Sequence, residues 1–152
     1  MTRAIKEWPE FNEHGDLPAG IYQATLAQVI EHFGSGTPQR RIVAQRLTRI
    51  YDLAHGTGQV ARVIIYGSFI TAKPSPNDVD IFLLMDDAFD KTETSGETAA
   101  IFDHLTTENK IGASVFWMRR LSVLDSEPEL IEHWQIKRDL TKRGIVEVIG
   151  RD

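Results

Sequence analysis

The stretch from Val63 to Met85 restricts the chain more than any other. Val63-Ile64-Ile65-Tyr66 is a β-branched, apolar run that reads as a strand, and Gly67-Ser68 ends it in a tight turn. Pro74, Pro76 and Asn77 then bring the chain back into a second apolar run, which opens with Asp78 and Asp80 and continues to Met85. Alternate residues of a strand share a face, so the two acids are expected side by side, ahead of Phe82 and Leu84. Val79, Ile81, Leu83 and Met85 fill the opposite face. A strand apolar on both faces is central and covered on both sides, which puts its acids at the rim of the sheet, facing a cleft. Gly67 and Ser68 offer backbone N–H groups and a hydroxyl at the turn, where a glycine lets the backbone approach a phosphate closely. Two adjacent carboxylates repel unless a cation lies between them, and hard oxygen donors suit magnesium.

A Gly-Ser turn followed by Asp-x-Asp on the next strand resembles the DNA polymerase β-like nucleotidyltransferase superfamily. The resemblance runs from about the helix before Val60 to Val115. The ends of the chain, Phe11-Asn12-x-x-Gly15-x-Leu17-Pro18-x-Gly20 and Arg143-Gly144-Ile145, are similar to those of a small bacterial branch of that superfamily. The resemblance implies magnesium-dependent transfer of a nucleoside monophosphate from a nucleoside triphosphate to a protein or RNA acceptor. Asp78 and Asp80 would be the catalytic metal ligands, and Gly67 and Ser68 would hold the terminal phosphates, with Lys73 near enough in sequence to reach one. The family pattern usually adds a third carboxylate, in a hydrophobic-acid-hydrophobic triplet on the following strand. Here the triplet is Ala113-Ser114-Val115, so a neutral hydroxyl takes the acid's place. Glu108 or Glu127 substitutes only if the fold brings it round. The alternative implied by Ser114 is a catalytically degenerate module that binds nucleotide or a partner, as in a toxin–antitoxin pair. Ala72 stands where many members carry a second glycine, and is tolerable unless that position needs a positive φ.

The rest of the chain is ordinary soluble protein. Its 152 residues suggest an extended N-terminal arm, 1–20, and a single domain, 21–152. A net charge of -5 gives no strong DNA-binding signal. The absence of cysteine excludes disulfides and thiolate metal sites and fits a reducing compartment. With no apolar signal core and no membrane-length run, a cytoplasmic location is expected. The five histidines are scattered without a zinc-ligand spacing.

The expected fold is mixed α/β (α+β), a small sheet of three to five strands flanked by helices. Thr25 and Gln28 form a capping box for a helix to about Phe33, and Thr37-Pro38 starts a second to about Ala54. That second helix buries Val43, Leu47, Ile50, Tyr51 and Ala54, while Arg40, Arg41, Arg46 and Arg49 are read as a solvated arc. A helix over 96–107 should bury Ile101, Phe102 and Leu105. Ala113 to Met118 reads as the third strand. A helix capped by Ser126 should end at Lys137-Arg138, and 145–149 should form a short final strand on a sheet edge.

Overall fold

A computed structural model describes residues 3–124 and 126–152. Its sheet has five strands: β1 (Ile21–Ala24), β2 (Val60–Tyr66), β3 (Asp80–Met85), β4 (Ser114–Arg119) and β5 (Ile145–Val148). Their spatial order is β1-β5-β2-β3-β4. The outer pairs, β1 with β5 and β3 with β4, are parallel, and β2 runs antiparallel to both its neighbours. The fold is thus α+β with a mixed sheet, as its sequence pattern implied.

Local signals set the first two helices. Thr25 caps α1 (Leu26–Phe33) in a reciprocal capping box with Gln28, and Thr37 caps α2 (Pro38–His55), with Pro38 at its start. These helices and α3 (Gly96–Ile101) cover one face of the sheet. There Val63, Ile65, Ile81, Leu83 and Val146 join Val43, Leu47 and Ile50 in the larger core. The opposite face is thinner. It buries Ile64, Phe82, Leu84 and Ile145 under Ile131 of α5 (Glu127–His133). β3 is therefore covered on both sides, and the lightly covered face leaves the start of β3 and β4 open.

Several expectations change. The final strand β5 lies between β1 and β2, not on an edge. Its one charged residue, Glu147, is buried, and Arg62 satisfies it at 2.7 and 2.8 Å while Gln23 adds a third bond at 3.1 Å. A neutralised pair lets an alternating strand sit inside the sheet. β1 fills the edge instead, and its four residues carry too short a pattern to announce a strand. The helix expected over 96–107 breaks at Phe102. Asp103 caps a new short segment, α4 (His104–Thr106), which runs into a π-helical turn, Thr107–Ile111. The break rotates Leu105 outward, to 68% exposed.

Arg40 is the largest correction. It is buried, not solvated, and its guanidinium donates to four carbonyl oxygens: Phe33 at 3.0 Å, Phe69 at 2.7 Å, Thr71 at 2.6 Å and Lys73 at 2.5 Å. Arg46 donates to the carbonyl oxygens of Asn77 and Gly112, and Arg49 pairs with Glu97. Thr37 and Gln39 bond the carbonyl oxygens of Pro74 and Asn77. One side of α2 thus supplies the donors that the irregular, proline-rich chain between β2 and β3 lacks for itself.

The N-terminal arm packs on the domain through Trp8 and Phe11, with the Trp8 ring stacked on His32 at 5.1 Å. Among the described residues no helix is long and apolar enough to cross a membrane.

Candidate functional site

An open cleft of about 890 Å³ lies at the thin face, where β2 ends and β3 and β4 begin. It gathers all five residues singled out from the sequence: Gly67, Ser68, Lys73, Asp78 and Asp80. Ser114 joins them. It stands directly beside Asp80 in the register of the parallel β3–β4 pair, so the middle residue of the Ala113-Ser114-Val115 triplet lines the same cleft.

The strand begins at Asp80 rather than Asp78. Asp78 precedes it in irregular chain held from α2, yet both acids line the cleft. Among the described residues no hydrogen bond or ion pair reaches either carboxylate. Burial, reinforced by the charge of Asp78, pushes Asp80 up to about 6, with Glu108 adding to the effect and Arg143 and Arg138 opposing it. Burial and the same two aspartates also raise Tyr66.

Gly67 is required here for two reasons. Its φ of +82° suits glycine, and a Cβ would lie 1.9 Å from Asp80 Oδ2. The turn backbone therefore rests against the carboxylate itself. Gly67→Ala is expected to cost about 2–4 kcal/mol and to displace Asp80. Gly36→Ala is the control: its φ is +98° with open space around it, so strain alone should cost about 1 kcal/mol. Thermal unfolding of the two variants checks the difference, and equal losses would mean that contact with Asp80 is unimportant. Ala72 does not have a positive φ, so alanine costs nothing there, and its N–H donates to the carbonyl oxygen of Gly15.

The opposite wall, which carries Asp139 as well as three cations, is net cationic and was not visible in the sequence. α5 stops at His133, so Lys137 and Arg138 leave the helix and enter the cleft with Arg143. The chain between them reverses, with Ile136 bridging Lys142 and Thr141 donating to the Asp139 side chain. Asp16, buried in the N-terminal segment, holds Lys137 at 3.0 Å and Arg143 at 3.4 Å. Arg138 and Lys73 have no acidic partner among the described residues. The segment from Phe11 to Gly20 thus contributes to the cleft through Asp16, which binds two of its cations.

Of the two substitute acids, Glu108 reaches the cleft and Glu127 does not. Glu127 is occupied by Arg62 and Arg120. Glu108 sits on the π-helical turn, a distortion that often marks functional positions, with His104 Nε2 at 3.3 Å. His104 Nδ1 lies 3.2 Å from the Val115 carbonyl oxygen, and its ring stacks on Phe116. Among the described residues no three histidine or acidic side chains converge closely enough to hold a metal ion alone. A mostly apolar hollow of about 540 Å³ lies nearby under Met118 and Leu130, and contains none of the residues that the sequence singled out.

The profile of a family of unknown function, DUF6932, matches residues 9–149. The chain belongs to that family. No curated protein and no solved structure matches it. The span of DUF6932 begins within the N-terminal arm and ends after β5, so it takes in Asp16, the Gly67 turn, the acid pair and the cationic loop together.

Proposed function

We propose that this DUF6932 protein is a magnesium-dependent nucleotidyltransferase-like protein, which moves a nucleoside monophosphate from a nucleoside triphosphate to a protein or RNA acceptor. One observation carries the reading: two carboxylates without a partner among the described residues, Asp78 and Asp80, share a cleft with the Gly67-Ser68 turn and with the cations Lys73, Lys137, Arg138 and Arg143. Asp80 at the start of β3 and Asp78 just before it, facing a loop whose Lys137, Arg138 and Arg143 outnumber its one acid, Asp139, suit a ligand that is itself anionic and brings a cation with it. The resemblance of the Gly-Ser and Asp-x-Asp pattern to the polymerase β-like superfamily supports the same assignment.

The residues fit magnesium. Asp78 and Asp80 are hard oxygen donors, and the burial and like charge that raise Asp80 are relieved by a cation. Magnesium characteristically takes one or two carboxylates and completes its shell with phosphates and water, so Asp78 and Asp80 would suffice as its protein ligands. Bound there, it would neutralise phosphate charge and acidify an attacking hydroxyl. The chain's own part is positioning. The Gly67 turn meets the terminal phosphates, and Arg138, Lys137 and Arg143 face the charge that grows on the departing pyrophosphate as the acceptor oxygen bonds to the α-phosphorus.

Calorimetric titration with each nucleoside triphosphate, with and without magnesium, tests the reading. Binding should require the metal and should fall at least about tenfold in Asp78→Ala, because one of two charged ligands is lost. A folded wild type that binds no nucleotide under either condition would refute it. Ser114 beside Asp80 favours one alternative, a degenerate member that binds nucleotide or a partner protein of a toxin–antitoxin pair without turnover. Metal-dependent binding without label transfer to any acceptor would select it.

A further inference from the structure

The cleft has a second end. Ser114, Phe116 and Met118 share one face of β4, and Phe116 stands opposite Phe82 just as Ser114 stands opposite Asp80. Phe116 is therefore two residues, roughly 6.6 Å, along the sheet from the acid row. Phe82 beside it and Ser114 before it are buried and Met118 is half-buried, but Phe116 is 43% exposed, as is Ile136 at 42%, in the same cleft. A single exposed apolar residue is ordinary on a protein surface. Two of them lining the polar cleft that holds the acids and cations are a different matter.

The ring is also fixed in place. His104 stacks on Phe116 with centroids 4.4 Å apart and planes 21° from parallel. His104 is held in turn by the Val115 carbonyl oxygen and by Glu108. Trp134 lies 6.2 Å from Phe116 at 27°, and itself stacks on Phe82 at 4.8 Å. These near-parallel rings are set before any ligand arrives, so little ordering entropy is lost on binding.

We propose that Phe116, backed by His104, is the shelf on which the nucleobase stacks while the phosphates lie at the Gly67 turn and the acid pair. The proposal rests on the nucleotide reading above and adds the place of the ligand's aromatic part. Chemistry at the two ends selects the class: one molecule must carry a flat ring and a phosphate chain separated by a short polar spacer. Stacking reads a π-face rather than an edge pattern, so all four bases are accepted, with purines favoured by their larger surface.

Calorimetry in magnesium with ATP, GTP, CTP and UTP, and with inorganic tripolyphosphate, tests it. Phe116→Ala should weaken every nucleotide by about tenfold to a hundredfold and leave tripolyphosphate unchanged, and Phe116→Trp should restore the nucleotides. Phe116 is half exposed, so the variant should fold, and circular dichroism verifies this. Unchanged nucleotide affinity in a folded Phe116→Ala, or equal losses for nucleotide and tripolyphosphate, overturns the shelf. Wild type that binds tripolyphosphate as tightly as ATP overturns the shelf while the phosphate site stands. Wild type that binds neither overturns the shelf and the nucleotide reading together.

Discussion

Arg40→Met is expected to destabilise the protein by about 3–5 kcal/mol, although no ion pair is lost. Four carbonyl oxygens lose their donor at once, and each buried, unpaired polar group costs about 1–3 kcal/mol before water and relaxation recover part of it. Methionine keeps the stem's volume, so the effect reports hydrogen bonding more than packing. Against a typical total of about 5–15 kcal/mol, a loss of this size shifts the urea midpoint strongly. Arg40→Lys should rescue less than half. An ammonium cannot reproduce a planar fork whose two terminal nitrogens each serve two carbonyls. Arg41→Met, exposed on the same helix, should stay within about 0.5 kcal/mol of wild type. Because the carbonyls of Phe69, Thr71 and Lys73 belong to the loop between the Gly67 turn and Asp78, any folded Arg40 variant should also bind nucleotide more weakly. An Arg40→Met midpoint matching that of wild type would show that this loop is held by other means.

Asp80→Asn should have the opposite effect on stability while abolishing metal-dependent binding. The Asp80 carboxyl titrates at about 6 in the folded protein against 3.8 for the free group, chiefly because it is buried and then because Asp78 is near. Between these two values the folded state holds a proton that the unfolded chain has released, so stability falls as pH rises through this window. Above it the charged form opposes folding by about 3 kcal/mol, and below it the penalty vanishes. Asparagine removes that penalty, so the variant should gain about 1–3 kcal/mol near pH 7.5, with the gain fading toward about pH 4. Magnesium with nucleotide should stabilise the wild type and leave the variant unchanged, since only a ligand that binds the folded state raises stability. Thermal melts across pH, with and without the ligand, check both halves. A variant less stable than wild type at neutral pH, or a shift independent of pH, would contradict this account of Asp80. Instability retained at a binding carboxylate is the usual trade of stability for function.

Much of this was open to reading along the chain. The β-branched run into Gly67 and the continuous apolar run from Ile81 to Met85 made β2 and β3, and Thr25 and Thr37 marked the starts of α1 and α2. The Asp-x-Asp spacing indicated two acids on one rim, and both line one cleft even though the strand starts at the second. Arg40 was legible in principle. At about 100° per residue it falls on the same side of α2 as Val43, Ala44 and Leu47, and only its charge argued for solvent. Charge was likewise the wrong guide at Glu147, which Arg62 neutralises from the neighbouring strand.

Local pattern determined the elements whose causes lie within a few residues: caps, turns, strand alternation, and the glycine that lets the backbone meet Asp80. It could not supply what depends on partners far away in sequence. That α5 ends at His133 and frees Lys137 and Arg138, that Asp16 holds Lys137 and Arg143, that a π-helical turn brings in Glu108, and that Phe116 shares the acids' face were decided by the tertiary structure. The physical reason is range. Hydrogen bonding and periodicity within an element act over three or four residues, whereas the pairs that hold the cleft's Lys137 and Arg143 lie more than a hundred residues apart, and only the folded chain brings these together.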